Sequence, residues 1–108
     1  MAADLARTLA ALADPTRRAI VERLRRRPQR PSEVAAALSM SRPAMSRHLR
    51  VLRKAGLIAQ ETLEEDARAR MIRLQTGPLS GLRSWVEDVE AMWGDQLHAE
   101  HAHRSRRR

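Results

Sequence analysis

The sequence predicts a mainly α-helical fold with one small β-hairpin: five helices, with two strands between the fourth and the fifth. Apolar residues recur every three or four positions along most of the chain, which is typical of amphipathic helices. Between residues 57 and 75 apolar and polar residues alternate instead, which is typical of strands. No linker long enough to separate two domains is visible, so we expect one domain over residues 1–98 and a flexible, basic tail over residues 99–108.

The first two helices are predicted from apolar spacing and a capping signal. Leu5, Leu9 and Leu12 recur at i, i+4 and i+7, which places them on one face of a helix. Asp14 followed by Pro15 is a strong start signal for the second helix, because aspartate caps helices and proline suits the first helical position. The stretch RRRPQRPS then interrupts the helical pattern with two prolines.

Two serines mark the next two helices. Ser32 is predicted to cap a short third helix over residues 33–38, and Ser41, after the break SMS, to cap a fourth. Pro43 is tolerated in the first turn of that fourth helix, and Gly56 suits the position that ends it.

The two strands are predicted from alternating apolar and polar residues, and the last helix from the break that precedes it. The segments LIAQETL and ARARMIRLQ are interpreted as two strands joined by the acidic turn EEDA. After TGPLS, a last helix is predicted from Leu79 to His98 or beyond.

Charge is segregated along the chain. The formal net charge is +8 and the pI is near 11.6, which favours a polyanionic partner. Residues 17–54 hold twelve cations against two carboxylates, a net of +10, while residues 83–100 hold one arginine against five acids, a net of −4. The absence of cysteine excludes disulfides and thiolate metal sites. With no long apolar run and no signal-type segment, we expect a cytoplasmic protein.

The fourth helix is both basic and apolar, and a helical wheel separates the two characters. One arc carries Arg42, Pro43, Ser46, Arg47, Arg50, Arg53 and Lys54; the other carries Ala44, Met45, His48, Leu49, Val51, Leu52 and Ala55. One interpretation is a solvated basic face on a core helix. However, a short helix, a three-residue break, a basic helix and then a hairpin form the arrangement of a winged helix-turn-helix, whose second helix enters the DNA major groove.

Three segments carry a family resemblance: LADPTRRAIVERL (12–24), SRPAMSRHLRVLRKAGLI (41–58) and RMIRLQTGPL (70–79). They resemble the arsenic-repressor (ArsR/SmtB) type of bacterial winged-helix transcriptional repressors. The resemblance implies a homodimer that binds a palindromic operator, with the hairpins as wings beside the recognition helices. It often implies release of DNA when a metal ion binds. Arg42 stands where relatives frequently have glutamine, so the base preference does not follow from the resemblance.

Eight residues are the candidate DNA contacts: Ser41, Arg42, Ser46, Arg47, His48, Arg50, Arg68 and Arg70. An arginine offers a bidentate fork to guanine. His48 lies in the apolar arc, so it is either a packed, hydrogen-bonded side chain or, as the resemblance implies, a contact to the DNA backbone. Arg68 matches the family's wing-tip arginine, although the acidic residues 64–66 beside it would be repelled by phosphates. Arg17 and Arg18 are interpreted as surface charges or further contacts.

A wide apolar stripe on the last helix predicts a homodimer. A domain this small cannot easily cover that stripe, and the family pairs its first and last helices across a twofold axis. The alternative is that both tryptophans pack into the monomer's own core. The candidate interface residues are Leu5, Leu9, Leu82, Trp85, Val86, Val89 and Trp93.

No cofactor, metal or enzymatic activity is predicted. The family's thiolate metal box falls on Arg30, Pro31 and Ser32, which cannot bind soft metals. The family's other metal pattern, in the last helix, matches only in part, at Asp88 and His101. No nucleophile motif or glycine-rich phosphate loop is present. We therefore predict a sequence-specific DNA-binding transcriptional regulator, a homodimeric repressor that binds an inverted-repeat operator through the helix 41–55 and the wing 58–74. It either senses an effector other than these metals or regulates by its own abundance. The alternatives are a nonspecific nucleic-acid-binding protein, a metal-responsive repressor, or a module that binds an acidic protein.

Overall fold

The computed structural model describes the backbone of residues 2–63 and 66–106, and the side chains of residues 4–62 and 70–94. The order of elements agrees with the predicted fold class, since a two-stranded antiparallel hairpin separates the fourth and fifth helices. Within the described residues, no helix combines the length and apolar character needed to cross a bilayer. The elements are α1 (Ala2–Ala13), α2 (Pro15–Leu24), α3 (Pro31–Ala37), α4 (Arg42–Lys54), β1 (Ile58–Leu63), β2 (Asp66–Leu74) and α5 (Gly77–Arg106).

Three of the predicted helix signals act as expected. The Asp14 carboxylate accepts a hydrogen bond from the Arg17 backbone N–H at 2.9 Å and begins α2. Ser41 Oγ accepts from the Ala44 N–H at 3.3 Å and begins α4. Gly56 follows the C-cap of α4 with φ of +74°, the left-handed conformation that glycine adopts without steric cost.

The third helix begins earlier than predicted. Pro31 is its first residue and Arg30 holds the capping position, so the prediction that Ser32 caps this helix is wrong. The reason is that Pro31 already has the helical φ, and the Arg30 carbonyl accepts from the N–H groups of Glu33 and Val34 at 3.0 and 3.2 Å. The turn to α4 passes through Ser39, whose φ is +54°.

The last helix starts before the predicted position. It begins at Gly77 rather than Leu79, and the Thr76 carbonyl accepts from the Ser80 N–H at 2.9 Å in its first turn. Helical backbone continues to Arg106, through most of the segment predicted to be a tail.

The hairpin is held at its base by a residue outside it. The register runs from Ile58 opposite Leu74 to Thr62 opposite Arg70, and becomes irregular after Thr62. On the other edge of β2, Gln29 exchanges two backbone hydrogen bonds with Ile72, at 3.0 and 2.8 Å. The Gln29 side chain is buried and donates to the Arg23 carbonyl at 2.6 Å. The loop between α2 and α3 therefore anchors the wing to the helices.

One core joins the helices and the hairpin. Its largest fully buried side chains come from α2, α3, α4, β2 and the residue before β1: Ile20, Val34, Leu52, Ile72 and Leu57. The apolar arc of α4 supplies Met45 and Leu49 as well. This core fixes the orientation of α4 relative to the wing.

Candidate nucleic-acid interface

Helix α4 presents a polar face to solvent and an apolar face to the core. Met45, Leu49 and Leu52 are buried against the other elements. Val51, placed in the apolar arc by the wheel, is exposed instead, because it lies next to Arg47 at the edge of the basic arc. The predicted contacts on the outer face of the helix are all exposed: Ser41, Arg42, Ser46, Arg47 and Arg50.

These residues follow the helical repeat. Arg42, Ser46 and Arg50 are spaced four residues apart, so they project from successive turns about 6 Å apart along the axis. Because the opposite face of α4 is buried, these three side chains share one exposed face of a rigid element.

An open groove of about 410 Å³ continues this basic surface from α4 to the wing. Among the residues that line it, all described by the structure, three are arginines and none is acidic. Glu33, close by in the sequence, pairs with Arg27 at 3.8 Å instead. The polar residues of the groove are Arg30, Ser32, Arg42, Ser46 and Arg70, above a floor of Pro31, Ala35, Met45 and Leu49.

Arg30 and Ser32 were not predicted as part of this surface. No local pattern points to them, because they join Arg42 and Arg70 only when α3 packs against α4 and β2. Three arginines line one open groove, and cationic side chains of this kind suit an anion such as a DNA phosphate.

The wing contributes Arg70, which is exposed at the position opposite Thr62. Its neighbour Arg73 forms an ion pair with Glu61 across the hairpin. Arg53, at the end of α4, lies 3.5 Å from Gln60 Oε1 on β1. The side chain of Arg68 and the acidic residues 64–66 lie outside the described side chains, so the wing-tip contact stays a prediction.

His48 points back toward the start of α2 rather than fully outward. Its Nδ1 lies 3.4 Å from Arg17 Nη1 and 3.9 Å from Asp14 Oδ2, and its side chain is 23% exposed. The pKa of the Asp14 carboxyl is lowered, chiefly because the Arg17 backbone N–H donates to it, with a further contribution from the charge of Arg17. The geometry matches a packed, hydrogen-bonded histidine, which was one of the two alternatives for His48.

Arg17 and Arg18 are not simple surface charges. Arg17 donates to the carbonyls of Ala10 and Ala11 at 3.0 and 2.7 Å. Arg18 donates to the carbonyls of Leu12 and Ala13, at 2.7 and 3.1 Å. The last four carbonyls of a helix lack partners within it, so these two arginines cap the end of α1.

The predicted dimer residues form an exposed apolar surface on the single chain. Trp85 and Trp93 are 47% and 60% exposed, so neither is packed in the monomer's core. Leu9 and Val89 are also exposed, while Leu5, Leu82 and Val86 are partly buried. A cavity of about 840 Å³ lies between α1, the end of α4 and α5, with Leu5, Leu82 and Trp85 among its walls.

The structure gives no support to a metal centre in the part of the chain that it describes. There, no three His, Cys, Asp or Glu side chains lie close enough together to hold a metal ion. Asp88 and Glu90 are exposed on α5. The side chains of His98, His101 and His103 lie outside the described range, so the metal-responsive alternative stays a hypothesis.

Comparison with known proteins identifies the family. A family model described as a helix-turn-helix domain matches residues 12–61. The chain is 42% identical over 83 residues to the HTH-type transcriptional regulator Rv2034 of Mycobacterium tuberculosis, a match that covers 77% of this chain and 72% of that protein.

Solved structures agree with this sequence match. An ArsR family transcriptional regulator, RHA00566, has a TM-score of 0.78 and 30% identity, over 87% of this chain and 94% of that one. An ArsR-like transcriptional regulator from Rhodococcus sp. RHA1 has a TM-score of 0.79 and 33% identity, over 90% of this chain and 86% of that one. These relatives are regulators rather than enzymes. With its exposed basic helix and adjoining wing, the chain therefore belongs to the ArsR/SmtB-type winged helix-turn-helix family of DNA-binding transcriptional regulators.

Proposed function

We propose that the protein is a homodimeric repressor that binds an inverted-repeat operator through α4 and the wing. The observation that carries this proposal is the continuous basic surface on α4, α3 and β2, where three arginines line one groove that contains no acidic residue. In this assignment Arg42, Ser46 and Arg50 read base edges in the major groove. Arg30 and Arg70 bind the phosphates on either side.

The dimer is proposed from the apolar surface of α1 and α5. Exposed tryptophans and aliphatic side chains at this density are typical of an interface, where aromatic residues are enriched. A twofold axis through this surface would place two copies of α4 about 34 Å apart, one turn of DNA. That spacing demands an operator with inverted symmetry. Leu9, Trp85, Val89 and Trp93 would be covered by the second copy.

The experiment is selection of binding sites from a pool of random duplex DNA with the purified protein, followed by affinity measurements on the enriched duplex. We expect enrichment of an inverted repeat. Arg50→Ala should weaken binding to that duplex by about 1–3 kcal/mol and relax the sequence preference at one position of each half-site. Arg83→Ala removes the same charge from α5, where Arg83 lies 3.7 Å from Glu87, and serves as the matched control.

Two results would contradict the proposal. Equal weakening by Arg50→Ala and Arg83→Ala would mean that α4 does not read the duplex. Enrichment of no sequence would favour the second candidate, nonspecific nucleic-acid binding, which the net charge of +10 over residues 17–54 supports. For that function, affinity would fall steeply with salt and depend little on sequence. Titration of zinc and nickel into the enriched complex would test the metal-responsive alternative.

A further inference from the structure

The Arg17 guanidinium lies at the junction of three helices. It extends from α2, donates to the last turn of α1 through Nε and Nη2, and places Nη1 3.4 Å from His48 Nδ1 on α4. We propose that Arg17 is a positioning residue, which holds His48 in one tautomer and thereby orients the recognition helix on DNA. The second part of this inference rests on the proposed function.

The chemistry of the two side chains fixes the direction of this contact. An arginine can only donate hydrogen bonds, so His48 Nδ1 must accept. A neutral imidazole whose Nδ1 accepts carries its proton on Nε2. Asp14 Oδ2, on the same side of the ring at 3.9 Å, already accepts from the Arg17 backbone N–H. The Nε2–H donor is then left for the DNA backbone, and the ring is part-exposed on the recognition helix.

The guanidinium itself is held in place by α1. Its Nε and Nη2 donate hydrogen bonds to the carbonyls of Ala11 and Ala10, which have no partner inside their own helix. Because the guanidinium is planar, two fixed donors also fix the direction of the third. The end of α1 therefore sets the position of the His48 ring and, through it, of the first turns of α4.

Arg18 provides a matched control within the same chain. It makes the equivalent pair of hydrogen bonds, to the carbonyls of Leu12 and Ala13, and has the same charge. Among the described side chains, Arg18 makes no hydrogen bond with His48, whereas Arg17 does. Arg18→Ala therefore removes a cap of α1 and one positive charge but leaves the Arg17–His48 contact intact.

The first test is spectroscopic and needs no DNA. Nitrogen-15 chemical shifts of the imidazole rings should report His48 as the Nε2–H tautomer in the wild type and in Arg18→Ala. In Arg17→Ala we expect a mixture of tautomers. The His48 signals are assigned by their loss in His48→Ala. If Arg17→Ala leaves the His48 shifts unchanged, the inference is wrong, whatever the protein binds.

The second test uses the duplex enriched from the random pool. Arg17→Ala should lower affinity for that duplex about tenfold, and Arg18→Ala less than twofold, while both shift the urea midpoint of unfolding to a similar extent. The salt dependence of binding should stay unchanged in both variants, because neither arginine is assigned to a phosphate. Equal losses of affinity in the two variants would overturn the positioning role.

Variants of His48 distinguish the roles of its two ring nitrogens. Asparagine can place its amide oxygen where Nδ1 lies, and glutamine can place its amide nitrogen where Nε2 lies. We expect Arg17→Ala to weaken binding in the His48→Asn background but to have little further effect in His48→Gln or His48→Ala. Additive effects of Arg17→Ala and His48→Ala would show that the two residues act independently. If the wild type binds DNA without sequence preference but still shows the Arg17-dependent tautomer of His48, the repressor function is refuted and the tautomer assignment stands.

Discussion

Replacing Gly56 by alanine tests how α4 ends and how it is joined to the wing. Gly56 has φ of +74°, and an added Cβ would lie 3.4 Å from Pro78 Cγ, an ordinary contact distance. The cost is therefore backbone strain rather than a clash. A left-handed conformation costs an alanine about 1–2 kcal/mol, and the reduced entropy of the unfolded chain returns about 0.4–1 kcal/mol. We expect a net loss of about 1 kcal/mol in the free energy of unfolding.

The assay is urea unfolding followed by circular dichroism at one fixed protein concentration, since dimerisation would make stability depend on concentration. Gly94→Ala is the matched control. Gly94 lies within α5 with helical backbone, and its added Cβ would meet no atom within 4 Å. That variant should gain about 0.5–1 kcal/mol, because glycine is unfavourable inside a helix. If Gly56→Ala is as stable as the wild type, Gly56 does not hold the left-handed conformation and the reasoning fails.

Three further predictions test other parts of the molecule. The folded-state pKa of Asp14 is lowered, so its carboxylate stabilises the fold above the unfolded pKa, and this stability is lost as the pH falls through the folded pKa. Asp14→Asn should therefore make the free energy of unfolding depend less on pH in the acidic range, as measured by urea unfolding at several pH values. Ser41→Ala should lower the free energy of unfolding by about 1 kcal/mol through loss of the α4 cap, and an unchanged urea midpoint would contradict this role. Val89→Glu places a charge in the exposed apolar surface of α1 and α5 and should convert dimer to folded monomer in sedimentation velocity, whereas Glu90→Gln should not; a persistent dimer would place the interface elsewhere.

The elements that sequence reasoning found are those whose signals are local. Asp14, Ser41 and Gly56 act through backbone groups within a few residues, so their roles follow from the order of residues alone. The start of α3 was misjudged because two signals competed at adjacent positions. Pro31 already has the φ of a helix, which outweighed the capping preference of Ser32.

The parts of the site that were missed depend on contacts between distant segments. Arg30 joins the groove only because α3 packs against α4 and β2. Arg17 and Arg18 reach the carbonyls of α1 only because the chain turns sharply at Asp14. No periodicity or local motif encodes those approaches.

The pairing of Gln29 with Ile72 has a consequence for how the wing forms. An isolated two-stranded hairpin is only marginally stable in water, and this one shares its buried Ile72 with the helical core. The amide of Ile72, bonded to the Gln29 carbonyl at 2.8 Å, should therefore exchange with solvent deuterium only when the whole domain unfolds. The base of the wing and the helices thus behave as one cooperative folding unit, so a wing grafted from another protein would need its own counterpart of Gln29.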